Sequence, residues 1–274
     1  PRIAAPGYVS DTICWDGTNT KTAPTQGSGT KADPYIISTV AELAYVAGQQ
    51  SGGDSQVRAA GVTSGKYYKI ADGIKNIVMQ PYAYASDIMA LDSAADTKAY
   101  FEANASNMKQ WLYYGWEGST FCGSIDFNGA TVYGIYQVST NNAGLFSSVD
   151  AGAAFHNLAI KNSYMKSMSS GANYQCGAIA AVTNSAGYAN KTSGFIWANN
   201  IEIANNYMYN NSTSHDRSGV VFGASSDILY VDNALVYGND ATYGAGVKMP
   251  IYSSAANSVL VSSAPTIPEG LVVV

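Results

Sequence analysis

Charge is scarce in this chain: 14 Lys and Arg and 19 Asp and Glu among 274 residues, with two histidines. The net charge of −5 and pI near 4.9 exclude the basic footprint that nucleic-acid binding requires. Three cysteines, Cys14, Cys122 and Cys176, allow at most one intramolecular bridge and match no zinc spacing. Cys14 with Cys122 is the expected pair, and Cys176, beside Gly177, reads as a small buried apolar residue. No apolar run reaches the ~18 residues of a membrane span, and the N-terminus does not read as a signal peptide. Starting at Pro1 rather than Met, the chain reads as a processed or excised product whose export signal is missing. There is no phosphate-cradling glycine loop, H-E-x-x-H or serine elbow; Gly27-Ser28-Gly29 is a tight turn ahead of Asp33-Pro34. No catalytic, cofactor-binding or metal-ligating residue is therefore nominated.

Apolar residues, by contrast, make up 47% of the chain, so the surface must be built largely from Ser, Thr, Asn, Gly and Tyr. That composition suits an exported protein and packing against copies of itself. Tyr, at 21 residues against 7 Phe, is a favoured contact residue for proteins and sugars when exposed. Half-buried strand positions are the preferred reading for most of them.

The organising stretch is 123–182, where short β-branched and aromatic runs alternate with Gly, Asn and Ser turns and no helix-length pattern intervenes, as in stacked short strands. The pattern recurs. Asn157-Leu158-Ala159-Ile160 is echoed by Asn200-Ile201-Glu202-Ile203, 43 residues on, and by Asn233-Ala234-Leu235-Val236 after another 33. Tyr164-Met165 and Tyr207-Met208 keep the same offset. Gly144-Leu145-Phe146, Gly177-Ala178-Ile179 and Gly219-Val220-Val221 close successive units, with Gly246-Val247 as the fourth candidate. Unequal periods suit coils that carry insertions on one face. If the units stack, Asn157, Asn200 and Asn233 form a side-chain amide ladder. Asn as an ordinary turn residue is the alternative, and the shared frame favours the ladder.

The run Asp126 to Tyr136 resembles the F-D-G-N-G-x-T-I-x-G-L-Y segment of bacterial surface proteins with GLUG repeats. Gly144-Leu145-Phe146 and Gly177-Ala178-Ile179-Ala180 fit the G-L-F-G and G-G-I-A-G positions. Gly27-Ser28-Gly29-Thr30, with Asp33 to Thr39 and Ala41 to Tyr45, is similar to the motif that often precedes such repeats. Ser147 in place of the last Gly of G-L-F-G, and Cys176 before Gly177, make the repeats degenerate. The resemblance implies a right-handed parallel β-helix of the pectin-lyase-like type, outside a bacterial cell, in an adhesin-like surface protein. The shared motifs are structural and carry no catalytic residue across.

In chain order, 1–26 reads as a lead-in anchored by Trp15 on the first layer, and Tyr35 to Ile37 as a strand. Thr39 to Glu42 is a capping box opening a helix that ends near Gly48, with Leu43, Val46 and Ala47 on one face, placed to cap the stack. Residues 49–64 read as a loop. Lys66 to Ile70 and Ile74 to Met79 are strands around Asp72-Gly73. A second helix from Ser93 to Asn104, capped by Ser93, presents Ala99, Tyr100 and Ala103 inward as an insertion. Trp111, Tyr113, Tyr114 and Trp116 seal that helix, with a sugar platform as the alternative. The division expected is 1–122 for the lead-in and helices, 123–264 for repeat coils and 265–274 for a C-terminal strand or linker, one structural domain overall.

The polar loops 167–173, 184–193 and 210–218 are where display would occur. The apolar end Leu271 to Val274 closes the last coil, adds to another subunit or begins a next domain. Carbohydrate chemistry needs clustered carboxylates, whereas Asp126, Asp150, Asp216, Asp227 and Asp232 are scattered. His215-Asp216-Arg217 reads as a solvated loop, and His156 as a structural histidine. The reading is a mainly β, non-enzymatic, extracellular surface protein that polymerises through strand edges and its C-terminal segment, with host or cell-wall glycans as possible partners and no nucleic acid. A carbohydrate-active β-helix is the alternative.

Overall fold

The computed structural model describes residues 11–18, 21–47, 63, 65–111, 120–140, 142–149, 152–168, 175–183, 195–211, 218–225, 228–244, 246–252 and 258–261. The chain lays down β1 (Thr12–Cys14) and β2 (Tyr35–Ile37), turns through α1 (Val40–Val46), and continues as β3 (Tyr67–Ile70) and β4 (Asn76–Val78). An insertion follows: a 3-10 turn at Tyr82–Tyr84, α2 (Ala85–Met89) and α3 (Ala94–Ala103). Next come β5 (Thr120–Phe121), β6 (Ser124–Asp126), β7 (Thr131–Tyr133), β8 (Tyr136–Ser139) and β9 (Phe146–Val149). The pattern is repeated by β10 (Ala154–Lys161), β11 (Tyr164–Ser167) and β12 (Ala180–Thr183), and again by β13 (Phe195–Ala204), β14 (Tyr207–Asn210) and β15 (Phe222–Ser225). The described chain closes with β16 (Ile228–Tyr237), β17 (Asp240–Tyr243), β18 (Val247–Lys248) and β19 (Ser258–Val261).

These strands form three sheets. A long sheet runs β1-β4-β7-β10-β13-β16-β19 with β2, β3 and β6 alongside; a second runs β18-β17-β14-β11-β8 and a third β15-β12-β9-β5. From β6 to β15 each circuit visits the long, second and third sheets in that order, so each neighbour in a sheet comes from the next circuit. Among the described residues every pairing is parallel except β17 with β18. Register is maintained residue for residue: Tyr164 lies beside Tyr207, Met165 beside Met208, and Leu158 beside Ile201, which lies beside Ala234.

The repeated Asn residues explain how one strand turns a corner without breaking. Asn157, Asn200 and Asn233 have φ of 54°, 55° and 50°, the left-handed conformation that Asn tolerates better than other side chains. Inserting that residue resets the in-and-out alternation, as a bulge does. Phe155 and Leu158 both point inward and are buried, whereas His156 and Asn157 both face out. A second corner repeats the device at Gly134, Asn162, Asn205 and Gly238, all with positive φ. Elsewhere the circuits approach so closely that only hydrogen fits: a Cβ on Gly144 would lie 2.2 Å from the Gly177 carbonyl oxygen.

One apolar cluster runs from Trp15 to Met249 through the interior. Helix α1 contributes Val40, Leu43, Ala44 and Val46 to it, together with Ala47, and its capping box is complete: the Glu42 N–H donates to the Thr39 hydroxyl and the Thr39 N–H to the Glu42 carboxylate. Trp15 packs edge-on against Trp111 at 5.3 Å between ring centroids. The strands anticipated at 66–70 and 74–79 are present, as is the helix capped by Ser93.

Three expectations are corrected. All three cysteines are free thiols, so Cys14 and Cys122 are not bridged: Cys14 aligns with Val78, while Cys122 contacts Thr63. Cys176 is fully buried as anticipated, and burial pushes its thiol up to about 12. Helix α3 turns Ala94, Thr97 and Phe101 inward and leaves Ala99 and Ala103 exposed. The reason is that Phe101 stacks on Tyr136 and the Thr97 hydroxyl donates to the Asn205 carbonyl. The fourth sheet-closing segment is Pro250-Ile251, whose carbonyls accept from Val220 and Val221. Gly246-Val247 instead turns back antiparallel on β17.

Candidate functional site

The outer face of the long sheet gathers polar side chains that the sequence scatters. Pairing places Lys69 beside Asp126, Asp126 beside His156, His156 beside Asn199, and Asn199 beside Asp232. These form one row across five strands. The Asn199 amide donates to the Asp232 carboxylate at 3.0 Å. Burial holds the His156 imidazole below its ordinary value, with Asp126 opposing that shift and Lys31 reinforcing it.

Beside this row runs the amide ladder. Asn233 Nδ2 donates to Asn200 Oδ1 at 2.9 Å, Asn200 Nδ2 to Asn157 Oδ1 at 2.8 Å, and Asn157 Nδ2 to Asp126 Oδ1 at 2.9 Å. All three donors point the same way, and their chain ends on a carboxylate. The ladder lies at the surface rather than over buried turn backbone. The buried counterpart sits at the second corner. There the Ser163 N–H donates to Asn206 Oδ1 and the Asn206 N–H to Asn239 Oδ1, while both amides also donate to main-chain carbonyls. Sequence reasoning missed it because Ser163 breaks the run of Asn; the offset of 43 between Ser163 and Asn206 was the available signal.

A close cluster of titratable groups lies farther along the same face. Glu202 Oε1 accepts from Lys161 Nζ and from the Tyr237 hydroxyl, each at 2.7 Å. Burial, then the hydrogen bond to Glu202, pushes the Tyr237 hydroxyl up to about 12. One carboxylate oxygen that accepts from two donors is committed to holding three circuits together.

On the second sheet, Tyr136, Tyr164 and Tyr207 stack in register at 5.6 and 5.1 Å. Helix α3 covers them through Phe101, and Lys166 lies 5.0 Å from the Tyr164 ring and 5.6 Å from that of Tyr207. Burial, followed by the Tyr164 hydrogen bond to Glu102, raises the Tyr164 hydroxyl.

Of the groups weighed from sequence, Asp126, His156 and Asp232 therefore share one row. Asp150, Asp216 and Asp227, and with them His215-Asp216-Arg217, lie outside the described residues, as do Tyr113, Tyr114, Trp116, most of the polar loops and 265–274. Trp111 is buried, donating its Nε1 proton to the Leu145 carbonyl, so it is no sugar platform. Among the described residues no three His, Cys, Asp or Glu side chains come together to hold a metal, and no helix is long and apolar enough to cross a membrane. Compared with known proteins, the chain matches no family model, no curated protein and no solved structure.

Proposed function

We propose that this chain is a right-handed parallel β-helix displayed on a bacterial cell surface, acting as a structural or adhesive element rather than an enzyme, and assembling with copies of itself. The observation that carries the reading is the in-register stack of circuits over three sheets, in which most of the repeated positions serve the scaffold. Right-handedness rests on the rule that parallel crossovers within one sheet take that hand in about 98% of cases.

The non-catalytic reading is supported by spacing. Asp126 and Asp232 stand three strands apart, roughly 14 Å at ~4.8 Å per strand. Paired carboxylates for glycoside cleavage stand ~5–9.5 Å apart. A surface location is supported by the low charge, the Tyr, Asn and Ser content and the resemblance to GLUG-repeat proteins. For assembly, the antiparallel β18 leaves only a two-residue edge at that end of the second sheet. Strand addition between copies would therefore run through the other two sheets.

The test is the assembly state of the purified chain, with and without residues 265–274, by light scattering and negative-stain imaging. Ordered filaments that vanish on truncation support assembly by strand exchange. A clean monomer in both forms overturns it.

A further inference from the structure

The two ends of the stack are finished differently. At the N-terminal end the sheet edges are engaged or short. The Ile36 N–H of β2 donates to the Gln26 carbonyl at 2.9 Å, and the Thr22 N–H donates to the Ala41 carbonyl of α1, so the chain's own segment lies along that edge. On β8 the Tyr136 carbonyl accepts from the Trp111 N–H and the Val138 N–H donates to Gln110 Oε1, each at 2.8 Å. Strand β1 is three residues long and β5 two. Helix α1, which follows β2, buries Val40, Leu43, Ala44 and Val46 in the interior. Short edges and covering segments are how sheets avoid pairing with one another. The long sheet ends otherwise. Among the described residues β19 pairs with β16 alone, over four residues, and its other edge meets no described strand. Charged side chains are the usual guard on such an edge, yet residues 249–268 contain no Asp, Glu, Lys, Arg or His. An uncharged edge can face an identical edge without like-charge repulsion.

We infer that two copies of this chain join tail to tail, β19 of one pairing antiparallel with β19 of the other about a two-fold axis. A head-to-tail contact needs a receptive edge at the N-terminal end, and the edges there are engaged or short. A contact between identical edges needs nothing from that end: it uses the same patch on both copies and is complete with two. A two-fold axis across the edge sets identical strands antiparallel, the pairing in which directly opposed residues exchange N–H to C=O bonds. The product is a closed dimer with both N-terminal ends facing outward, not a filament. The inference rests on the self-assembly reading above and names its partner and geometry.

The test uses the whole chain under reducing conditions, which keep its three free thiols out of the result. Light scattering over a concentration series finds a species that stops at twice the 28.7 kDa monomer mass. Hydrogen exchange compared at low and high concentration shows added protection at 258–261 and none at 12–14, 35–37 or 136–139. Leu260→Lys sets like charges on the two edges and weakens the dimer by roughly tenfold or more. The exchange comparison needs no variant and decides the matter if Leu260→Lys does not fold. Filaments, or protection gained at 12–14 or 35–37, overturn the tail-to-tail contact and leave self-assembly standing. A dimer that gains no protection at 258–261, or one that a folded Leu260→Lys chain forms equally well, overturns the contact alone. A monomer at every concentration overturns both.

Discussion

Asn200 occupies a position where two demands coincide. Its backbone must hold a φ of 55°, and its side chain must accept from Asn233 and donate to Asn157. The two demands are separable by substitution. Asn200→Gly satisfies the backbone and removes two surface hydrogen bonds, costing about 1 kcal/mol. Asn200→Ala loses the same bonds and adds left-handed strain of ~1–2 kcal/mol, so it should be the less stable variant by about that difference. Chemical denaturation of the two variants measures the gap. Equal stabilities would mean that the corner does not depend on the left-handed residue.

At the level of elements, the repeat frame was legible because it is written in three-dimensional register: Asn, Tyr-Met and Gly recur at the offsets that pair strands. The helix N-caps at Thr39 and Ser93 were legible because they are local. The facing of α3 was not, since Phe101 and Thr97 are chosen by Tyr136 and by a carbonyl more than a hundred residues away. The row that joins Asp126, His156 and Asp232 was hidden for the same reason: only the stacking brings its members together. The insertion between β4 and β5 illustrates what such long-range closure requires. Gln80 is fully buried, accepts from the Lys109 N–H at 2.7 Å, and donates to the carbonyls of Lys109 and Gly134. It clasps both ends of the segment that carries α2 and α3, and Asn162 holds its middle by donating to Ile88 and Leu91. Gln80→Leu keeps the volume but strands these three main-chain groups, at ~1–3 kcal/mol for an unsatisfied buried partner. The expected readout is faster hydrogen exchange across 81–109 ahead of the sheets. Unchanged protection in that segment would show that α3 is held by its aromatic contacts alone.

For the molecule as a whole, few ionisable groups are available to set stability against pH, and those shifted in the structure define its limits. At the acid side, His156 is held below its ordinary value by burial. Its unfolded form takes up a proton first, so its contribution is complete above ~6.5 and declines as pH falls below that. At the alkaline side the sign is opposite in pKa. Tyr136, Tyr164, Tyr207, Tyr237 and Tyr252 are all raised by burial, the last two to about 12. A raised phenol favours the folded state fully below its unfolded value near ~10, and that preference is lost as pH climbs toward the folded value. Alkaline unfolding should therefore begin above ~10 and be accompanied by a cooperative rise in tyrosinate absorbance. Circular dichroism and absorbance at alkaline pH, followed on one sample, decide the matter. Coincident transitions mean that the stacked tyrosines titrate only when the circuits come apart. Smooth ionisation near 10 with the fold intact would mean that the strip between α3 and the second sheet is wetter than its packing indicates.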